Sequence, residues 1–255
     1  MSIFRIFATL ILLGGLAACS ENSPQRAATS PPEATPDTAA VRKAAREYRV
    51  HYNTSVSLDS TDFYYQPISV VPLNQGSRSR IISSNEYGEY EEARSSIEGT
   101  CYNVLFFQKS TLQEHALFAH GRFVIMQIDI DRKPDARWPY LFYTVIKADT
   151  NADGHQTEAD ASTLFVSDRS GRQLRQLTPN GTRLANRIIL PKTNIMLVEV
   201  QPDSNKDHAF THADGTYWLR FNLANLNTPP TRQPTPALSG ALNQQMLERQ
   251  SRTEQ

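Results

Sequence analysis

The residues best placed to do chemistry lie in one twelve-residue stretch, DTNADGHQTEAD, residues 149–160. Oxygen-bearing side chains stand at every second position: Asp149, Asn151 and Asp153 at positions 1, 3 and 5. Gly154 at position 6 permits a sharp reversal, His155 offers its carbonyl at position 7, Thr157 a hydroxyl at position 9, and Asp160 closes the loop at position 12. Calcium takes about six to eight oxygen ligands from a flexible loop, in this order of positions. The spacing therefore predicts a calcium site, against the alternative of a solvated turn held by Asx hydrogen bonds. Three neighbouring carboxylates repel one another without a cation, which favours the ion. Two departures weaken it. The closing residue is Asp rather than the longer Glu of the helix–loop–helix pattern, and Gln156 stands where such loops place an apolar residue.

A second loop, DSNKDHAFTHAD, lies 54 residues on and matches the first at six positions, including Asp203, Asn205, Asp207, Thr211 and Asp214. With the carbonyl of Ala209 these form a second candidate ligand set, although His208 replaces the position-6 glycine. A histidine adopts positive φ more readily than most residues, at a cost. The runs before both loops, Tyr143 to Ile146 and Leu197 to Val200, alternate and are β-branched, so strands rather than helices are expected at the flanks. A sensor works by changing the angle between two helices. An ion held between strands is expected to staple a long connection instead, with affinity in the range of extracellular modules, roughly 10⁻⁴ to 10⁻³ M.

Other chemistry is weakly represented. His208 and His212 are four apart and His155 sits in the first loop, but four-apart spacing converges only on a helix. Cys101, in GTCYNVLFF, is expected to pack as a small apolar residue. Hydrolase, metalloprotease and phosphate-loop signatures do not occur, and no catalytic residue is expected. The aromatic runs DFYYQP (62–67) and RWPY (137–140) suit buried sheet faces better than a ligand groove.

These loops must be positioned by short β runs: YNVLFFQ, RFVIMQIDI, YLFYTVIKA, STLFVSD, NRIIL, NIMLVEV and TYWLRFNL. Many short strands parted by turn residues predict an all-β protein. The stretches 142–168 and 196–222 align without a gap, and YNVLFFQKSTLQEHALF resembles STLFVSDRSGRQLRQLT as a partial third copy. Ser170-Gly171 and Pro179-Asn180-Gly181 supply turns. The run LFVSDRSGRQLRQLTPNG resembles the repeat of TolB-type, WD40-like β-propellers, and the loops resemble the calcium loop of EF-hands. The resemblance implies repeated antiparallel, blade-like sheets in a small or partial propeller; a β-sandwich is the alternative. A closed propeller needs at least about four blades, and three repeats are visible.

The ends of the chain bear on its location. Arg5 precedes an apolar run from Ile6 to Leu16, too short to span a bilayer, which reads as a secretory signal. Leu16-Ala17-Ala18-Cys19 resembles the lipobox of bacterial lipoproteins, implying cleavage after residue 18 and lipidation of Cys19. Ser20 after it implies sorting to the outer membrane, facing the periplasm. The charges balance at 26 basic and 26 acidic; without Arg5, 25 stand against 26, a net of −1, with no basic excess for nucleic acid. Eight of the fifteen prolines fall in 20–38 and 228–240, which are expected to bound the fold. The organisation expected is a signal at 1–18, a lipidated Cys19 with a flexible linker to 44, a β-repeat domain at 45–227 and a disordered Pro- and Gln-rich tail at 228–255. The expected function is that of a membrane-anchored, non-enzymatic binding or envelope-assembly module stapled by calcium; the alternative is a hydrolase or carbohydrate-active protein on a similar scaffold.

Overall fold

A computed structural model describes residues 37–74, 97–129 and 139–253. The signal expected at 1–18, Cys19 and the expected linker up to residue 36 lie outside the described residues. The chain divides between Arg42 and Lys43 into two compact units, and every strand belongs to the unit that starts at Lys43. The protein is mostly β, built from three antiparallel sheets that follow one another along the chain.

The first sheet comprises β1 (Tyr48–Tyr52), β3 (Phe63–Pro72), β4 (Thr100–Gln108) and β5 (Glu114–Ala116) in that order, with β2 (Val56–Ser57) paired to β3. The second is the meander β6 (Val124–Asp129), β7 (Tyr140–Ile146), β8 (Ser162–Asp168) and β9 (Arg175–Gln176). The third is β10 (Thr182–Ile189), β11 (Ile195–Pro202), β12 (Tyr217–Asn222) and β13 (Thr231–Gln233). Six of the seven apolar runs noted above coincide with all or most of one of these strands, and NRIIL with the second half of β10.

Repetition in sequence is repetition in space, with one correction. In the first sheet Leu105 faces Ala116; in the second Phe165 faces Gln176, each partner 60 positions on. The closing leucines repeat too: the Leu117 N–H donates to the Val104 carbonyl, and that of Leu177 to Leu164, both at 2.8 Å. The gapless alignment at 54 holds for the loops and for β8 with β12, but not for the strands before the loops. Val145 faces Thr163, whereas Val200 faces Tyr217, so Val145 corresponds to Val200, a step of 55. One residue is taken up between Ile146 and Asp149. A slip of one exchanges the faces of a strand, and β7 tolerates it because both its faces are apolar and covered.

The sheets pack face on face. One core cluster joins Tyr65, Val104 and Phe106 of the first sheet to Leu141, Tyr143, Val145 and Phe165 of the second. The other joins Phe142, Leu164 and Val166 of the second to Met196, Val198, Val200, Leu219 and Phe221 of the third. The middle sheet is thus buried on both sides, which explains the unbroken apolar runs of β7 and β8. Gly171, at φ +76°, lets the β8–β9 turn sit directly against the Phe106 ring; a Cβ there would collide with it. Tyr143 is fully buried and its hydroxyl hydrogen-bonds to Ser167 at 2.8 Å; burial pushes its ionisation well above the ordinary tyrosine value. Cys101 is buried, as expected, and desolvation pushes its thiol up to about 11.

The edges expected at 45 and 227 do not bound the ordered elements. A helix, α1 (Thr38–Glu47), occupies part of the linker, with the Ala39 N–H donating to Asp37 Oδ1 at 3.0 Å. The Pro-rich stretch after 227 supplies β13, which completes the third sheet. The tail beyond it is a second helix, α2 (Pro236–Thr253), rather than disordered chain. Its start is well specified: the Leu238 N–H donates to Thr235 Oγ1, and Pro236 occupies the first helical position, where its missing N–H costs nothing.

Candidate functional site

Both Asp-rich loops connect the second and third strands of their sheets, β7 to β8 and β11 to β12. No helix flanks them, as the alternating runs predicted. Their hydrogen-bond patterns correspond at most positions, with one bond missing from the second loop at Asp203. Asp149 accepts the N–H of Asp153 at 3.2 Å and of Gly154 at 2.7 Å, and Asp203 accepts the N–H of His208 at 3.2 Å. The Asn151 amide donates to Asp153 Oδ2 at 3.0 Å, and the Asn205 amide to Asp207 Oδ2 at 2.7 Å. Asp153 Oδ1 accepts the His155 N–H and Asp207 Oδ1 the Ala209 N–H, both at 2.8 Å. Positions 4 and 6 of each loop are left-handed: Ala152 (57°) and Gly154 (85°), Lys206 (60°) and His208 (64°). His208 adopts the conformation of the glycine it replaces.

The second half of each loop has a role that ligand spacing does not convey. Asp160 is buried and its carboxylate is turned onto the loop's own amides: Oδ1 accepts the N–H of Thr150 (2.6 Å) and Asn151 (3.3 Å), Oδ2 that of Thr157 (2.8 Å). Asp214 repeats this with Ser204 (3.0 Å) and Thr211 (2.8 Å). The position-9 hydroxyls cap the same turn, Thr157 Oγ1 accepting the Ala159 N–H and Thr211 Oγ1 the Ala213 N–H, each at 3.3 Å. Around His212–Asp214 this is a complete capping box on a short 3₁₀ turn. Thr-x-x-Asp is the capping-box spacing, and it was the signal in the sequence for this role. The hydroxyls at position 2 also take part: Thr150 Oγ1 donates to Asp160 and accepts the Ala161 N–H, and Ser204 Oγ donates to the Asp214 carbonyl.

These bonds set the electrostatics. Burial pushes the Asp160 carboxyl up, but the N–H groups of Thr157, Thr150 and Asn151 together outweigh it and hold the group below the usual carboxylate range. At Asp214 the Thr211 N–H is the largest influence and lowers it, with burial opposing. Both closing aspartates are therefore ionised latches on backbone amides.

A cation is left with the first half of each loop: the carboxylates and amide at positions 1, 3 and 5 and the carbonyls of His155 and Ala209. One observation speaks directly to fit. Asp203 Oδ1 is buried and meets no hydrogen-bond donor; a buried carboxylate oxygen without a partner is costly, and a bound cation is the group that relieves it. The closing positions fit less well, because Asp160 and Asp214 already spend their lone pairs on N–H donors. Among the described residues no group of three or more His, Cys, Asp or Glu side chains converges on a metal position. His155, His208 and His212 are not brought together, and the nearest pairing, His208 Nδ1 to Asp203 Oδ2, is 3.7 Å with the imidazole largely exposed.

Away from the loops, a cleft of about 120 Å³ is lined by residues that include Tyr140, Val166, Asp168, Arg175 and Asn227. It is smaller than ordinary small-molecule sites, which run to several hundred Å³ or more. Its one carboxylate, Asp168, accepts the N–H groups of Ser170 and Arg172 in the β8–β9 turn. Of the aromatic runs, DFYYQP lies in and beside β3, where Tyr65 is in the core and Tyr64 stacks on Phe107 at 4.8 Å. The first half of RWPY lies outside the described residues, and Tyr140 begins β7. A scan against protein-family models matches none of them, and a search of curated proteins finds no match to this chain.

Proposed function

We propose that the chain is a lipid-anchored envelope protein whose β-repeats form a binding or assembly module, with calcium held as a structural ion in the loops 149–160 and 203–214. The three consecutive antiparallel sheets are read as blades of a partial propeller. The anchor is Cys19, in the sequence Leu16-Ala17-Ala18-Cys19, with the folded unit facing the periplasm from the outer membrane. The observation that carries the calcium reading is the orphaned, buried Oδ1 of Asp203, at the one head position where the loop lacks a bond its neighbour makes, while the bonds of Asn205 and Asp207 repeat those of Asn151 and Asp153. Asp203, Asn205, Asp207 and the Ala209 carbonyl would hold the ion, and Asp149, Asn151, Asp153 and the His155 carbonyl its counterpart. The ion supplies charge neutralisation at the head of each loop, while Asp160 and Asp214 hold the tail of the loop whether or not it is bound. That division makes the ion a stabiliser of a preformed connection and leaves no helix pair for it to move.

Thermal unfolding of the full chain, with calcium and then with chelator, tests this. Calcium raises the midpoint if it binds the folded state, and Asp203→Asn reduces the rise. An unchanged midpoint removes the ion from the reading. Mass analysis of the N-terminal peptide tests the anchor separately: the reading requires a lipid-modified Cys19, and an unmodified thiol at that position excludes it.

A further inference from the structure

Helix α1 sorts its residues to two sides. At about 100° per residue, Arg42, Lys43 and Arg46 fall within an arc of about 100°, and Ala40, Val41, Ala44 and Ala45 occupy the opposite side. Glu47, the only acidic residue of the helix, stands at its last position. Neither side is covered: no residue of α1 is buried, and Val41 is 51% exposed. Among the described residues no carboxylate pairs with the three cations. Ten residues are too few for a helix to hold well in water on propensity alone, and most helices of this length are stabilised by packing one side on something. Among the described residues α1 has no such support.

Its place in the chain indicates what that support is. Thr38 follows Cys19 by 19 positions. Whatever path those residues take, they hold the helix within about 65 Å of the bilayer that carries the proposed anchor. A surface on the same tether is met at high effective concentration. A basic amphipathic helix is the sequence form of a segment that lies on a membrane surface, and a basic patch is a usual second signal beside a lipid anchor. Arginine in particular suits phosphate, because its planar fork donates two hydrogen bonds at once.

We propose that α1 lies on the anionic phospholipid headgroups of the membrane that holds the chain, with Arg42, Lys43 and Arg46 paired to lipid phosphates. The apolar side consists of alanines and one valine, so charge rather than burial carries the contact, and the contact is sensitive to salt. It keeps the start of β1 at the membrane surface. The proposal rests on the lipid-anchor reading of Cys19 and is independent of the calcium loops.

Amide hydrogen exchange tests it, on the full chain in vesicles of phosphatidylcholine alone and of phosphatidylcholine with phosphatidylglycerol. Chelator is present throughout, so that no calcium enters the comparison. In the anionic vesicles exchange across Thr38–Glu47 should be slower by about tenfold or more than in the neutral ones. Salt at 1 M, where the Debye length is about 3 Å, should abolish the difference. Lys43→Glu combined with Arg46→Glu should abolish it too, while exchange across β7 and β11 stays as in the parent, which shows that the variant folds. Equal exchange in the two kinds of vesicle, with Cys19 lipidated, overturns the helix contact and leaves the anchor standing. Protection that survives both salt and charge reversal also overturns it, because charge then does not hold the helix. An unmodified Cys19 overturns both readings.

Discussion

The loops 149–160 and 203–214 make the same turn from different residues. The first has glycine at its left-handed sixth position and both oxygens of its leading aspartate satisfied by N–H groups. The second has histidine at that position, at φ 64°, and leaves one oxygen of Asp203 buried and unpaired. What the two share without change is the tail, where Thr and Asp three residues apart cap the turn. The closing aspartate, rather than the glycine, therefore sets the path of the loop. Where the glycine is absent the backbone takes the strained conformation anyway, because the latch determines it.

Removing the latch should have the largest effect. Asp160→Ala removes the charged acceptor of the Thr150, Asn151 and Thr157 N–H groups in a part-buried turn and should cost about 3 kcal/mol in chemical denaturation. Asp214→Ala should destabilise in the same direction; a fall for only one of them breaks the equivalence of the two loops. Acid should act on the same groups more gently, since a protonated carboxyl still offers one acceptor oxygen. Both carboxyls lie below their unfolded value of about 3.9, so their contribution is present above that pH and is lost as pH falls through the lower folded values. Stability measured from pH 6 to 2 should decline below about pH 4, and the decline should shrink in Asp160→Asn.

Calcium, if bound as proposed, should separate the loops at the head rather than the tail. With affinities of 10⁻⁴ to 10⁻³ M, about 10 mM ion should stabilise the fold by about 1.4–2.7 kcal/mol for one site. The unpaired oxygen predicts that Asp203→Asn removes more of this gain than Asp149→Asn; the reverse order would place the tighter site in the first loop. The smallest effects are expected at position 6. Gly154→Ala meets no atom within 4 Å but must hold φ +85°, and should cost about 1 kcal/mol. His208→Gly should relieve strain and stabilise by about 0.5 kcal/mol after the added backbone entropy. Equal and opposite signs at the two sites would sharpen the view that one turn geometry is imposed on both.

Much of this was written locally. Alternating runs such as Asn194 to Val200 and turn residues such as Gly171 mark strands and reversals because each depends on neighbours in sequence. The duplicated loop, the positive φ of His208 and the partial third copy were legible for the same reason. The short outer strands β5 and β9 were legible only as the second strands of that partial copy, and β13 was not, since two or three residues carry no period of their own and pair only because a longer strand is already in place. Helix α2 was underestimated because its apolar stripe is narrow while its start, Thr235-Pro236, is strong.

Sequence by itself determined that the chain is β, that its units repeat, and that two loops carry calcium-like spacing. Tertiary structure decided which carboxylates remain for an ion, because Asp160 and Asp214 find their N–H partners only when the loop closes. It also decided the one-residue slip between the second and third sheets, and which faces are covered. Burial is a property of neighbouring sheets, and the difference between Tyr143 in a core and Tyr52 in the open lies in whether another sheet stands opposite.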